Sequence, residues 1–312
     1  MISLDLVTSL LRITFRLSVP YILAATGEVV TQRSGIFNVG IEGVMLMGAI
    51  TAYVVTVSTG SHLMGFSAAI LMGLLIGVII GYLLVFLKMD QTLAGILIWI
   101  FGIGMSALIY RIIIGVRASP PLIETLPELE VPVLSQIPIL GPSLFSQNIL
   151  VYLSCFLIVP IIHLLLFRTT IGLRIRAVGE NPRAADTLGI NVDLIRYLTF
   201  IFATSMQALA GAYLPLVETA VFTVGMTGGR GWISLQLVIF GKWVPSLIFG
   251  GSLLFAFVEG LAFKVQLLHR ALPYQFVLML PYVVTLIALV IISRRAVMPR
   301  ALGIPYEREE AR

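Results

Sequence analysis

The segment FSAAILMGLLIGVIIGYLLVFL, residues 66–87, contains no charged side chain and places glycines at 73, 77 and 81. At 1.5 Å per residue a helix over it is about 33 Å long, enough to cross a hydrocarbon core of about 30 Å. Comparable apolar runs lie at 17–31, 36–58, 93–114, 148–167, 197–217, 231–249, 247–264 and 274–292. The fold class that follows is all-α, a polytopic integral membrane helical bundle with about nine transmembrane helices, within a range of eight to ten. The region 231–264 sets that range: Lys242, Trp243 and Pro245 interrupt it and predict a broken or re-entrant helix. Residues 3–16 carry Asp5, Arg12 and Arg16 among leucines and read as an amphipathic lead-in lying on the membrane surface. No secretory cleavage pattern precedes the first span.

Composition agrees with the spans. Of 312 residues 59% are hydrophobic and 11% charged, against roughly 45–50% and 25% in soluble domains, and the mean hydropathy is +1.05. Too little polar surface remains for a soluble enzyme, a disordered chain or a fibre. The single cysteine, Cys155, excludes an intrachain disulfide framework and a cysteine-built metal site. A net charge of +5 is spread among apolar runs without a basic block, so it reflects membrane topology and no nucleic-acid partner is expected.

Helices in lipid use small residues to bring backbones together. Gly73, Gly77 and Gly81 at four-residue spacing, and Gly40 and Gly48 with Ala52, mark faces that pack helix on helix. Residues 1–312 then form a single transmembrane domain without a substantial soluble part. Arginines 168, 174, 176, 183 and 196 concentrate in the 168–196 loop and five more follow Ser293, which predicts that both regions face the cytoplasm. The stretch 115–147, with six of the 15 prolines and Glu124, Glu128 and Glu130, reads as an irregular outer loop. Counting spans from these anchors puts Arg33 and Lys88 inside and the N-terminus outside, unless residues 3–16 add another crossing.

Within the 168–196 loop, Asn181 suits a helix N-cap, Pro182 the first helical position and Gly189 the left-handed residue beyond the last turn. A helix of about two turns is marginal in water and needs a surface to pack on. Ala184, Ala185 and Leu188 are read as its apolar face, with Arg183 and Asp186 in water; a plain surface turn and a docking helix for a cytoplasmic partner both fit this pattern. The sequence Glu180-Asn-Pro-Arg-Ala-Ala-Asp-Thr-Leu-Gly-Ile190 resembles the coupling segment of permease subunits of bacterial ABC importers, in the branch that takes up ribose, branched-chain amino acids and nucleosides. The stretch QRSGIFNVGIEGVMLMGA, residues 32–49, is similar to a signature in the second of the paired permeases of nucleoside-type systems, and Gly229-Arg-Gly-Trp-Ile233 with Val238-Ile-Phe-Gly-Lys-Trp243 adds a third match. The resemblance spans about residues 20–292.

It implies a permease subunit that forms a translocation pathway with a second permease, in the bacterial cytoplasmic (inner) membrane with a cytoplasmic C-terminus. A cytoplasmic ABC ATPase would drive it and an extracytoplasmic binding lipoprotein or periplasmic protein would deliver a nucleoside or, alternatively, a simple sugar. Coupling to the ATPase would fall on Glu180, Asn181, Pro182, Arg183, Ala184, Ala185, Asp186, Leu188 and Gly189. None of the three lysines, Lys88, Lys242 and Lys264, sits in a G-x-x-x-x-G-K-[ST] phosphate loop, so ATP is expected on partner subunits and this chain is expected to need no cofactor.

An ionisable side chain at midplane costs about 2.5–3.5 kcal/mol on insertion scales, which singles out Glu28, Glu42, Arg111, His163, Lys242 and Glu259. Asn38 and Glu42 share a helical face, and with Gln207 and Gln236 they are read as candidate lining of the path, against the alternative that they hydrogen-bond helix to helix. Arg230 among Gly228, Gly229 and Gly231 suits an anion site, and more readily a tight turn. His163 has no second ligand at metal spacing, and no catalytic constellation appears. A stand-alone secondary transporter using Glu28, Glu42 and Glu259 as ion sites is the competing class; it leaves the 182–188 helix without a role.

Overall fold

The computed structural model describes residues 4–115, 119–132, 134–268 and 297–307, with isolated helical positions between 279 and 287. The span expected at 274–292 therefore lies almost wholly outside the described residues.

Among the described residues seven helices are long and apolar enough to cross a membrane. They are α1 (Leu4–Ser34), α2 (Ile41–Thr59), α3 (His62–Val85), α4 (Gln91–Ile113), the run Ile149–Arg168, the run Val192–Thr219 and α12 (Pro245–Leu268). The fifth run joins α6 (Ile149–Tyr152) to α7 (Val159–Arg168) through a π-helical turn at Leu153–Ile158, and the sixth ends α10 (Val192–Tyr213) in a π-helical turn at Leu214–Thr219. Two short helices, α8 (Thr170–Glu180) and α9 (Pro182–Thr187), connect α7 to α10.

The sequence hub is α10, whose run is 83% buried, against 28% for peripheral α4. It packs on α1, α2 and α3, and α1 in turn carries α11 (Arg230–Phe240) and α12. The expected glycine stripe is the α3–α10 seam: a Cβ at Gly73 would lie 2.6 Å from the Thr204 carbonyl oxygen, and one at Gly77 2.3 Å from Thr204 Oγ1. Gly48 meets α10 as closely, with the Ala208 carbonyl oxygen 2.2 Å from where its Cβ would stand.

Two expectations change. Residues 4–16 are no surface lead-in; they continue into α1 as one helix across Pro20. Their charges are met by the outer loop: Arg12 and Arg16 both pair with Glu128, Gln147 Nε2 donates to the Arg12 carbonyl at 3.0 Å, and Ser143 Oγ donates to that of Thr8 at 3.2 Å. Among its described residues that loop is irregular as expected except for the strand pair β1 (Glu128–Glu130) and β2 (Ser146–Asn148), with Leu129 opposite Gln147, a single 3-10 turn at Leu134–Gln136 and the short α5 (Leu140–Leu144). The second change concerns 231–264, where 11-residue α11 is too short to cross and Gly241–Val244 turns the chain into α12. The broken-helix reading holds there, and 231–249 is not a span of its own.

Candidate functional site

Three polar assemblies interrupt the apolar bundle. One lies where α1 ends and α2 begins. Glu28 Oε1 accepts from Gln32 Nε2 at 2.8 Å and from the Asn38 amide at 3.1 Å, while Oε2 accepts from Gln207 Nε2 at 3.0 Å. Gln207 Oε1 accepts from Asn38 Nδ2 at 3.0 Å, and Gln32 Oε1 accepts from Trp243 Nε1 at 2.7 Å. All four polar side chains of this network, Glu28, Gln32, Asn38 and Gln207, are buried. Trp243 and Lys242 adopt left-handed backbone angles, φ 56° and 50°, and the turn they form is held by Arg33 Nε donating to the Trp243 carbonyl at 3.0 Å. Such angles are unfavourable for side-chain-bearing residues, so these bonds fix the break between α11 and α12.

The second assembly is the N-terminus of α11. Left-handed Gly225, Gly228 and Gly229 turn the chain and leave the first amides of the helix without intrahelical partners. Glu42 supplies them: Oε1 accepts from the Gly229 amide at 2.8 Å and from Thr227 Oγ1 at 2.5 Å, and Oε2 from the Gly231 amide at 2.7 Å. The glycines thus form both the tight turn and an anion site, and the anion is this chain's own carboxylate. The stretches 32–49 and 229–243, separate in sequence, are locked together by Glu42 and by the Gln32–Trp243 bond. Asn38 and Gln207 are brought together; Glu42 belongs to the neighbouring assembly, and Gln236 is half-buried on α11. Trp99 and Trp232 pack edge to face with centroids 5.4 Å apart.

The third assembly joins α1, the end of α10, α11 and α12. Arg230 Nη2 pairs with Glu259 at 2.8 Å and Glu218 at 3.7 Å, and Tyr21 Oη donates to Glu259 at 2.9 Å. In the sequence Glu259 and Arg230 stand out separately, and Glu218 does not stand out at all. A carboxylate at the close of a long apolar run beside Pro215 was the available signal.

At the opposite end of α1 lies the segment read as a coupling element. Asn181 Oδ1 accepts from the Ala184 amide at 3.1 Å, Pro182 opens α9, and Gly189 has φ 78°. The expected face is different, however. Ala185 is only 2% exposed and packs inward on Val178 and Val192, whereas Leu188 is 80% exposed and Ala184 is exposed with it. An (i, i+3) pair shares a side of a helix, but Leu188 already follows the last turn, so Ala185 serves the fold and Leu188 the surface. Glu180 and Arg183 are exposed beside them, and Tyr306 Oη donates to Asp186 Oδ2 at 2.9 Å. Residues 297–307 run along this surface: the Ala301 amide donates to the Gly179 carbonyl at 2.9 Å, the Gly303 amide to that of Gly35 at 3.0 Å, and Arg196 Nη1 to that of Ile304 at 2.9 Å. The tail and the 168–196 loop therefore share one side of the molecule. Among the described residues no group of three or more His, Cys, Asp or Glu is placed to hold a metal.

Residues 10–291 match the family described as the permease component of the branched-chain amino acid transport system. The chain belongs to this permease family. It is 34% identical to the guanosine ABC transporter permease NupQ of Bacillus subtilis, over 92% of each chain. It is 33% identical to the nucleoside ABC transporter permease NupC of Lactococcus lactis, over 93% of each. A Haloferax volcanii permease provisionally assigned to glucose, TsgC13, is 34% identical over 84% of this chain and 79% of that one. The permease is accordingly a multi-pass membrane protein and a transport component rather than a catalyst. The Gln32–Trp243 bond and the Glu42 bonds to Gly229 and Gly231, which pin its broken helix, join two of the stretches on which the family resemblance rests.

Proposed function

We propose that this chain is the transmembrane permease subunit of an ATP-driven importer for nucleosides, acting in the bacterial cytoplasmic membrane beside a second permease. Residues 1–312 form one transmembrane domain, and the 168–196 loop is its cytoplasmic coupling element. A separate ABC ATPase binds and hydrolyses ATP, an extracytoplasmic binding protein delivers the cargo, and the C-terminus is cytoplasmic with the loop. NupQ and NupC, similar over nearly their whole lengths, support the nucleoside cargo; TsgC13, as similar in identity, favours a sugar as the second reading.

The observation that carries the coupling role is Leu188. A large apolar side chain left 80% exposed at the end of a short helix, on a segment fixed by Asn181, by inward-facing Ala185 and by the tail, is presented to a partner. The partner's closure would push on α8 and α9, these move α10 through Ala185 packed against Val192, and α10 moves α1 through the Arg196 bond to the Ser34 carbonyl at 3.1 Å. Leu188→Asp in the complete transporter tests this. We expect an assembled membrane complex whose ATP-driven uptake of radiolabelled guanosine falls at least tenfold; uptake at the wild-type rate would remove Leu188 from the coupling surface.

A further inference from the structure

At the end of α1 away from the coupling segment, a cavity of about 300 Å³ opens between α1, the π-helical turn after α10 and α12, with Arg16, Tyr213, Glu218, Thr219, Arg230 and Phe263 among its walls. That volume is at the lower end of the range small-molecule sites occupy. Its carboxylate, half-buried like that of Glu259, differs from the two that are fully buried in the bundle. Glu28 and Glu42 each receive three hydrogen bonds, leaving no oxygen unmet. Glu218 lies opposite Arg230 through Oε2, but its buried Oε1 has no partner among the described residues, and neither has Arg230 Nε. Buried polar atoms are almost always satisfied, so such exceptions in a cavity call for a missing partner. The π-helical turn at Leu214–Thr219 is what delivers Glu218 to this wall, and such turns concentrate at functional sites.

The charges nearly cancel. Arg16 pairs with Glu128, and Arg230 with Glu259 and Glu218. The cavity thus holds little excess charge for a free ion, and what it offers is an unmatched acceptor and donors. Tyr213 adds a donor, since its oxygen already accepts from Asn148 Nδ2 at 3.2 Å and its own proton is available. A mouth lined by such groups is costly against lipid and suits an aqueous path. We propose that this cavity is a solute-contact site on the translocation path, where the Glu218 carboxylate accepts from the vicinal hydroxyls of a neutral ring-bearing solute and Arg230 and Tyr213 donate to its oxygens. This rests on the permease reading above. The shared chemistry is the vicinal diol, which a ribonucleoside and a free sugar both carry.

The test uses the complete transporter in its native membrane with radiolabelled adenosine, 2′-deoxyadenosine and ribose. Glu218→Gln is expected to lower adenosine uptake about tenfold through KM, one lost charge-assisted hydrogen bond, while 2′-deoxyadenosine uptake changes less than about twofold. Equal loss for both nucleosides, or none for either, overturns the site. Thr219→Cys gives a second readout that does not depend on the Glu218 variant folding: labelling by a membrane-impermeant maleimide is expected to be slowed by adenosine and not by 2′-deoxyadenosine, and equal rates with both overturn the proposal. A wild-type transporter that moves ribose and no nucleoside overturns the cargo reading alone, and ribose against 2-deoxyribose then decides the site by the same criteria.

Discussion

Glu42 shows what a single side chain decides in this bundle. Its carboxylate accepts from the Gly229 and Gly231 amides and from Thr227, which together anchor the start of α11 to α2. Replacement by alanine leaves three donors unmatched, two of them buried at about 1–3 kcal/mol each. Glu42→Ala is therefore expected to lower the thermal unfolding midpoint of the detergent-purified protein markedly, with Glu42→Gln, which keeps one acceptor, falling between it and wild type; a midpoint unchanged in the alanine variant would contradict the anchoring role. At this scale legibility follows sequence distance. Asn181, Pro182 and Gly189 were readable because a cap is satisfied within a few residues. The partner of Glu42 was not, since it lies some 185 residues away and the carboxylate alone is equally consistent with a water-lined path. Ala185 was misread for a related reason: which side of a two-turn helix is covered depends on α8 and α10, not on its own pattern.

Between elements, close backbone approach sets the tolerance for change. A Cβ at Gly211 would stand 1.9 Å from the Met45 carbonyl oxygen, where α10 crosses α2, whereas one at Gly104 on the exposed side of α4 meets nothing within 4 Å. Gly211→Ala is expected to abolish accumulation in the membrane fraction and Gly104→Ala to leave it at wild-type level; immunoblots showing equal amounts would refute the tight α2–α10 crossing. The spans α2 to α4, the Ile149–Arg168 run and the Val192–Thr219 run were all legible, because an uninterrupted apolar stretch of this length has few other destinations. The start of α1 was not. Arg12 and Arg16 read as charges on a surface lead-in, and only the folded outer loop shows that both pair with Glu128. The break at Gly241–Val244 could be located from Lys242, Trp243 and Pro245, yet its anchoring by Gln32 and Arg33 could not.

For the molecule as a whole, the hydrogen bonds from residues 301, 303 and 306 to the 168–196 loop and the end of α1 place tail and loop on one side, and Ser143 and Gln147 of the outer loop bind the opposite end of α1. A membrane-impermeant maleimide is therefore expected to label Leu188→Cys in inside-out vesicles only and Thr125→Cys in right-side-out vesicles only; labelling of both from one face would contradict this arrangement. The buried Cys155 will not interfere. Charge asymmetry groups the 168–196 loop with the tail already in the sequence, whereas the cavity beside Glu218 needed four elements to meet in space. The central claim is that this permease works as one part of an ATP-driven assembly. Its most direct test is affinity purification of the chain from its native membrane in mild detergent, with mass spectrometry of its companions. A second permease of similar size together with a P-loop ATPase is expected; a chain that purifies alone and moves solute in liposomes without ATP would refute the assembly.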